Sequence, residues 1–256
     1  VSGGEAGGSE GGVSASRIEQ LAEGVTLYLG DCREILPTLP NVDAVVTDPP
    51  YGIGDKMQGG TWGAAEKYTD FRRWDIAPSA EHLALLRSLA SSVVIWGGNH
   101  FDAPAARCWL VWSKTNSVRT MADVELAWTN LDKPAKRFSG PVGVHEWGHP
   151  TEKPLDLMKW CIDQAEVPAG AIILDCFMGS GTTGVAAVER GYGFTGIEID
   201  PGYFEISVRR ISNALKQPDM FIEKPKPAKQ EALWTDSVPS ETPSSRKSRK
   251  RSATQS

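Results

Sequence analysis

No run of 18 apolar residues occurs in the 256-residue chain, so no segment is long and apolar enough to span a bilayer as a helix. The N-terminus lacks a basic stretch followed by an apolar one, which argues against a secretory signal and for a cytoplasmic protein. Cysteine and histidine are scarce, at four of each. Cys32, Cys108, Cys161 and Cys176 show no C-x-x-C spacing, and Cys32 and Cys176 sit in apolar, strand-like settings. This speaks against a disulfide framework or a zinc ribbon and for reduced thiols, mostly in a core. A strong net charge is missing too: 27 basic and 32 acidic residues give −5. The sum hides an asymmetry, because the stretch from Lys216 onward carries +4 and the remainder −9. An acidic balance therefore leaves nucleic acid open as a partner, provided that phosphate contacts are local.

What is present divides into three parts. Residues 1–17 are a flexible, glycine-rich N-terminus; six glycines lie among the first 16 residues, too little apolar surface to fold on. Residues 216–256 read as a disordered basic tail with Lys-Pro repeats and the run RKSRKR. Between them, residues 18–215 alternate strand-like and helix-like runs. Strands are expected at 25–29, 43–47, 92–96, 108–112, 124–129, 171–175 and 193–199. Helices are expected from Ser79 to about Ala90, over Pro154–Ala165 with Thr151 as cap, over Thr182–Arg190, and from Asp200-Pro201 to Leu215. Such alternation means an α/β fold with a mostly parallel sheet. In these sheets ligands bind beyond the carboxyl ends of the strands. Asp31, Asp48–Tyr51, Asn99, Asp175–Gly181 and Glu198 all stand at such ends.

Two motifs carry chemistry. In Asp48-Pro49-Pro50-Tyr51 the prolines hold the chain extended and remove two N–H donors. The Pro49 carbonyl is left as an acceptor beside the Asp48 carboxylate, a pair suited to a planar amino group. Tyr51 adds a ring able to stack on a base. A plain turn is the competing reading of this tetrapeptide. The second motif is Asp175-Cys-Phe177-Met-Gly179-Ser180-Gly181-Thr182-Thr-Gly184. Glycines after a strand let backbone approach a ligand, and a helix N-terminus favours negative charge. No lysine follows Gly181, so the phosphate-gripping P-loop pattern fails. The spacing Gly179-x-Gly181-x-x-Gly184, with Glu198 ending the next strand, suits a nucleoside-containing cofactor whose ribose an acid grips. An ordinary strand–helix turn is the alternative.

Taken together, Asp48-Pro-Pro-Tyr51 and Phe177-x-Gly179-x-Gly181, in that order, resemble the β group of amino-group DNA methyltransferases that use S-adenosylmethionine. His149-Pro-Thr-Glu-Lys-Pro154, Leu27-Tyr-Leu-Gly-Asp31, Trp96-Gly-Gly-Asn-His100 and Glu125-Leu-Ala-Trp-Thr129 extend the resemblance to compact phage and prophage adenine methyltransferases. The resemblance implies a Rossmann-like fold with permuted motif order and a seven-stranded sheet, one strand antiparallel. It also implies site roles. Asp48, Pro49, Pro50 and Tyr51 would hold the target base. Asp175, Phe177, Gly179, Ser180, Gly181 and Thr182 would line the methionine end of the cofactor, Glu198 the ribose and Asp31 the adenine, while Thr151 and Lys153 close over the methionine end. DNA is the implied partner, in a bacterial or phage-infected cytoplasm; a homodimer and a cognate restriction endonuclease stay open. Asp at the head of the tetrapeptide leans towards the N6 of adenine, with N4 of cytosine as the alternative. An RNA or protein-amide methyltransferase, or a silent nucleic-acid-binding module, are more distant readings.

The long polar segment 52–78 reads as a lid or DNA-contact loop. Residues 130–146 are the one stretch left for a short recognition region. Lys56, Arg72, Arg73, Lys133, Lys136 and Arg137 are the candidate phosphate contacts. His145-Glu-Trp-Gly-His149 matches H-E-x-x-H, but zinc chemistry needs both histidines on one helical face. Pro141, Gly143, Gly148 and Pro150 break any helix there, so no metal is expected.

Overall fold

The computed structural model describes residues 15–53, 75–117, 122–143 and 152–217. These form one nine-stranded sheet. Along the chain the strands are β1 (Arg17–Ala22), β2 (Val25–Leu29), β3 (Val42–Thr47), β4 (Ala90–Trp96), β5 (Trp109–Lys114), β6 (Val124–Thr129), β7 (Lys136–Gly140), β8 (Ile172–Asp175) and β9 (Gly193–Glu198). Their order across the sheet is β1-β2-β9-β8-β3-β4-β6-β5-β7. The helices are α1 (Cys32–Ile35), α2 (Ala80–Ser88), α3 (Leu155–Ala165), α4 (Thr182–Glu189) and α5 (Pro201–Lys216).

The expectation of seven strands is corrected to nine, and three of the eight strand pairs are antiparallel: β1–β2, β4–β6 and β5–β6. The two additional strands are the edges. RIEQLA in β1 and KRFSG in β7 are largely exposed and lack an alternating apolar pattern, so they carry no period-two signal. β1 also begins inside the stretch assigned to a flexible N-terminus: Arg17 opens it and Ser16 bonds the Leu29 carbonyl. β4 starts at Ala90, two residues early, because Ala90 pairs with Val42 directly after α2 ends. α3 is capped by the backbone of Pro154 with no side-chain bond; Thr151, expected as its cap, lies outside the described residues, as do residues 1–14 and 218–256.

Strand alternation separates two apolar layers. Ala44, Val46, Val94, Ile173 and Phe194 point to one face, under Leu157, Met158, Cys161 and Ile162 of α3, Val185 and Ala186 of α4, and Phe204 and Ile211 of α5. Val45, Val93, Ile95, Leu174 and Ile197 point to the other, under Ile35 of α1 and Leu83 and Leu86 of α2. The four cysteines are free and buried.

The crossover from β3 through α2 to β4 runs one way across the sheet, and the crossover from β8 through α4 to β9 runs the other. β3 and β8 are neighbours, with Val45 opposite Leu174. The crevice beyond their carboxyl ends is the topological switch point, where such sheets bind ligands. The segment after β3 leaves this crevice through a closed neck: the Gly52 amide donates to Asp75 at 2.9 Å.

Phe204 is fully buried between α5 and the sheet. Phe204→Ala is expected to lower the unfolding free energy by about 3–5 kcal/mol, read from urea titration.

Candidate active site

Asp48 follows β3, and its carboxylate is partly buried with both oxygens engaged. The Tyr51 hydroxyl donates to Oδ1 at 2.7 Å, and the Lys153 ammonium donates to Oδ2 at 2.6 Å and to the Tyr51 oxygen at 3.3 Å. Burial pushes the Asp48 carboxyl up against the opposing pull of Lys153. Burial and the Asp48 charge push the Tyr51 hydroxyl well up. Burial works against the Lys153 ammonium, but Asp48, Tyr51 and Glu125 outweigh it and hold the lysine charged. The structure thus brings Lys153 to the tetrapeptide, where the sequence reading placed it over the cofactor's methionine end.

The Tyr51 ring is fixed from several sides. His100 stacks on it with centroids 5.0 Å apart and planes 17° from parallel, and Phe101 meets it edge-on at 6.1 Å. Lys153 Nζ lies 5.5 Å from its centroid. Gly97 takes a left-handed φ of 73°, and a Cβ there would fall 2.2 Å from the ring. The Trp96-Gly-Gly-Asn-His100 segment therefore shapes the space that Tyr51 occupies.

The glycine loop follows β8. Asp175, 2% exposed, accepts from the Thr47 hydroxyl at 2.7 Å, the Thr183 hydroxyl at 2.6 Å and the Phe177 amide at 3.1 Å. Thr47 directly precedes Asp48, so this one carboxylate ties the strand that presents Asp48 to the loop. Glu198, at the end of β9, accepts from the Gly179 amide at 2.7 Å and the Asp200 amide at 2.8 Å. Gly181 is the N-cap of α4 at φ 85°, with no side-chain cap bond. Arg210 of α5 donates to the Ser180 carbonyl at 2.8 Å and hydroxyl at 2.7 Å, and pairs with Glu152 at 2.8 Å. Thr182 donates to the same Glu152 oxygen at 2.9 Å. Asp31 caps α1 and is clasped by the Arg33 guanidinium, which holds its carboxyl below the usual range.

Asp31 and Glu198 end adjacent strands, with Leu29 opposite Glu198, so two carboxylates border one end of the loop. Phe177 meets His82 edge-on at 5.8 Å. Asp31, Asp175, Phe177, Gly179, Ser180, Gly181, Thr182 and Glu198 are thereby gathered at the ends of β2, β8 and β9. Sequence reasoning missed Thr47, Thr183, Glu152 and Arg210, which brace this loop, and Lys114, whose ammonium binds Glu125 at 2.6 Å.

The candidate DNA contacts are dispersed. Lys133 donates to the Gln164 carbonyl at 2.6 Å and pairs with Glu166 at 2.7 Å, at the end of α3 that leads into β8. Lys136 opens β7 opposite Leu110 and is followed by Arg137; both are exposed. All three stand at or towards the amino ends of the parallel strands, away from Asp48. Within residues 130–143 the chain forms β7 over Lys136–Gly140. Lys56, Arg72, Arg73, His145 and His149 lie outside the described residues. Among the described residues no three His, Cys, Asp or Glu side chains gather to hold a metal, and no helix is long and apolar enough to cross a membrane.

Burial raises the Asp175 carboxyl to about 6 and the Glu198 carboxyl to about 7, from ordinary values of 3.8 and 4.5. The folded chain therefore holds these protons more tightly than the unfolded chain. Their contribution to stability is full below about pH 4 and is lost as pH rises through 6 to 7, by at most about 1.4 kcal/mol per pH unit per group. Urea titrations between pH 5 and pH 8 should show stability falling in the parent and falling less in Glu198→Gln.

Comparison with known proteins identifies the family. The family described as DNA methylase (N6_N4_Mtase) matches residues 111–209. The protein named "Putative methylase YubD" of Escherichia coli (strain K12) is 32% identical over 205 residues, with 72% of this chain and 88% of YubD covered. DNA adenine methyltransferase YhdJ of the same organism is 26% identical over 253 residues, covering 75% of this chain and 84% of YhdJ. A solved structure of M1.HpyAVI with SAM superposes with a TM-score of 0.48 at 23% identity, covering 72% of this chain and 98% of that one. By its match to YubD over most of both chains, and by the family match across β5 to α5, this chain belongs to the amino-class DNA methylases, which act on N6 of adenine or N4 of cytosine.

Proposed function

We propose that this protein methylates the N6 amino group of adenine in DNA, using S-adenosylmethionine. The observation that carries the reading is the switch-point crevice. There Asp48-Pro-Pro-Tyr51 and the glycine loop follow neighbouring parallel strands and are joined by the 2.7 Å bond from Thr47 to Asp175. A target base and a nucleoside cofactor held by these two motifs meet end to end.

The residues present suit the cofactor. Asp31 and Glu198 offer carboxylates to an adenine amine and to ribose hydroxyls, the exposed Ile199 offers an apolar surface beside them, and α4 starts at Gly181 without a side-chain cap bond. S-adenosylmethionine supplies a methyl group on a cationic sulfur, which keeps the bonding electron pair when the methyl departs. Every other part is played by the chain. Asp48 and the Pro49 carbonyl accept the two N–H bonds of the target amine. That draws its nitrogen towards a pyramidal shape and frees a lone pair otherwise delocalised into the ring. The nitrogen forms the new N–C bond and then gives up one proton, for which the Asp48 carboxylate is the adjacent acceptor. The base leaves the duplex to reach Asp48, at a cost of a few kcal/mol, and ring stacking at Tyr51 offsets part of it. Adenine is preferred over cytosine because Asp heads the tetrapeptide, and YhdJ is itself named for adenine.

Transfer of a radiolabelled methyl group to DNA, followed by base analysis, tests this directly. N6-methyladenine is the expected product; N4-methylcytosine would reassign the base, and label in RNA or protein alone would overturn the reading. Asp48→Ala is expected to lower the transfer rate by about 10²–10³-fold, the usual effect of losing one positioned electrostatic partner, while cofactor affinity stays measurable by calorimetry. Residues 130–146 leave few side chains to read base edges, so a short recognition sequence of about two to four base pairs is expected, with each bidentate base contact adding ~1–3 kcal/mol. Genome-wide methylation mapping reads this out, and a single motif of about six or more defined bases contradicts it.

A further inference from the structure

Four charged side chains form a chain through the catalytic half of the site: Lys114, Glu125, Lys153 and Asp48. Their charges sum to zero. Both lysines are withdrawn from solvent, with side chains 6% and 7% exposed. Lys114 takes Oε1 of Glu125 at 2.6 Å. The other oxygen, Oε2, is buried and makes no hydrogen bond, yet lies only 3.2 Å from Lys153 Nζ. Lys153 instead aims its short bond at Asp48, at 2.6 Å.

This arrangement poses a problem for the proposed reaction. The carboxylate that must accept the target amine is engaged on both oxygens by its own chain, through Tyr51 and Lys153. A buried Lys–Asp pair standing alone would hold itself shut, since attraction between charges strengthens away from water. Glu125 removes that bias. It offers the ammonium a second carboxylate oxygen within reach, so the cation can turn from Asp48 without being stranded. Glu125 is itself anchored, because β6 sits between β4 and β5, and Lys114 of β5 holds its far oxygen. Burial works to raise its carboxyl, but Lys153 and Lys114 outweigh that and hold it down at about 2, so it stays ionised at any working pH.

We propose that Glu125 is a positioning residue that receives the Lys153 ammonium when the target amine takes its place on Asp48. The proposal rests on the methyltransferase reading above.

Steady-state kinetics on DNA bearing the mapped site, with S-adenosylmethionine as methyl donor, test it. In Glu125→Gln the lysine has no second charge to turn to. The expected result is a fall in kcat of about 10²-fold, with KM for DNA and for S-adenosylmethionine within about twofold of the parent, as for an interaction needed beyond initial binding. Glu125→Asp retains the charge and should recover most of kcat. A parent-like kcat in Glu125→Gln overturns the proposal. So does an Asp variant as slow as the Gln variant while cofactor affinity is intact, because charge at 125 would then not matter. A parent protein that transfers no methyl group to DNA would overturn the methyltransferase reading itself, before any substitution is made.

Discussion

Asp175 is the interaction on which the rest of the site depends. A carboxylate taken out of water is costly unless donors surround it. Here two threonine hydroxyls and one amide do so, from β3, from α4 and from the loop itself. The bond from Thr47 is the consequential one. It crosses from the strand that presents Asp48 to the strand that presents the glycine loop, at the place where the two halves of the sheet diverge. Relative motion of the two motifs would break a buried bond, so their spacing is set by the core and not by the loops. Glu198 repeats the device one strand further on, gripping the Gly179 amide.

The two halves of the crevice are held by different physics. The half around the glycine loop is braced by hydroxyls and amides around single carboxylates. The half around Asp48 is held by paired full charges: Lys114 with Glu125, and Lys153 with both Glu125 and Asp48. Buried ion pairs add little to stability once desolvation is counted. On the proposal made above for Glu125, their place beside Asp48 gives the Lys153 ammonium two acceptors and does little to hold the fold.

Much of this was legible in the sequence. Buried parallel strands are written as short apolar runs, and Ala44-Val-Val46, Val93-Val-Ile95 and Ile172-Ile-Leu174 carried that signal plainly. The helix after Asp200-Pro201 was equally clear from its cap and from Phe204, Val208 and Ile211 on one face. The edge strands β1 and β7 were not, because a strand paired on one side tolerates polar residues throughout. The site divided in the same way. Asp48, Asp175 and Glu198 stand at strand ends, where spacing identifies them. Arg210 and Glu152 are 58 residues apart, and nothing in either neighbourhood announces that they meet over Ser180 and Thr182. Lys153 was noticed, but the direction in which its long side chain points depends on a partner, Asp48, that lies 105 residues away.

The neck between Gly52 and Asp75 has an evolutionary consequence. Because the two ends of that segment are already fastened to each other at the rim of the crevice, the entropy of joining them depends only weakly on what lies between. Doubling such a length adds only about 0.6 kcal/mol. A change in the number of residues between those two ends therefore adds little closure entropy, so natural variation can lengthen or shorten the segment while its fastened ends keep their place at the rim.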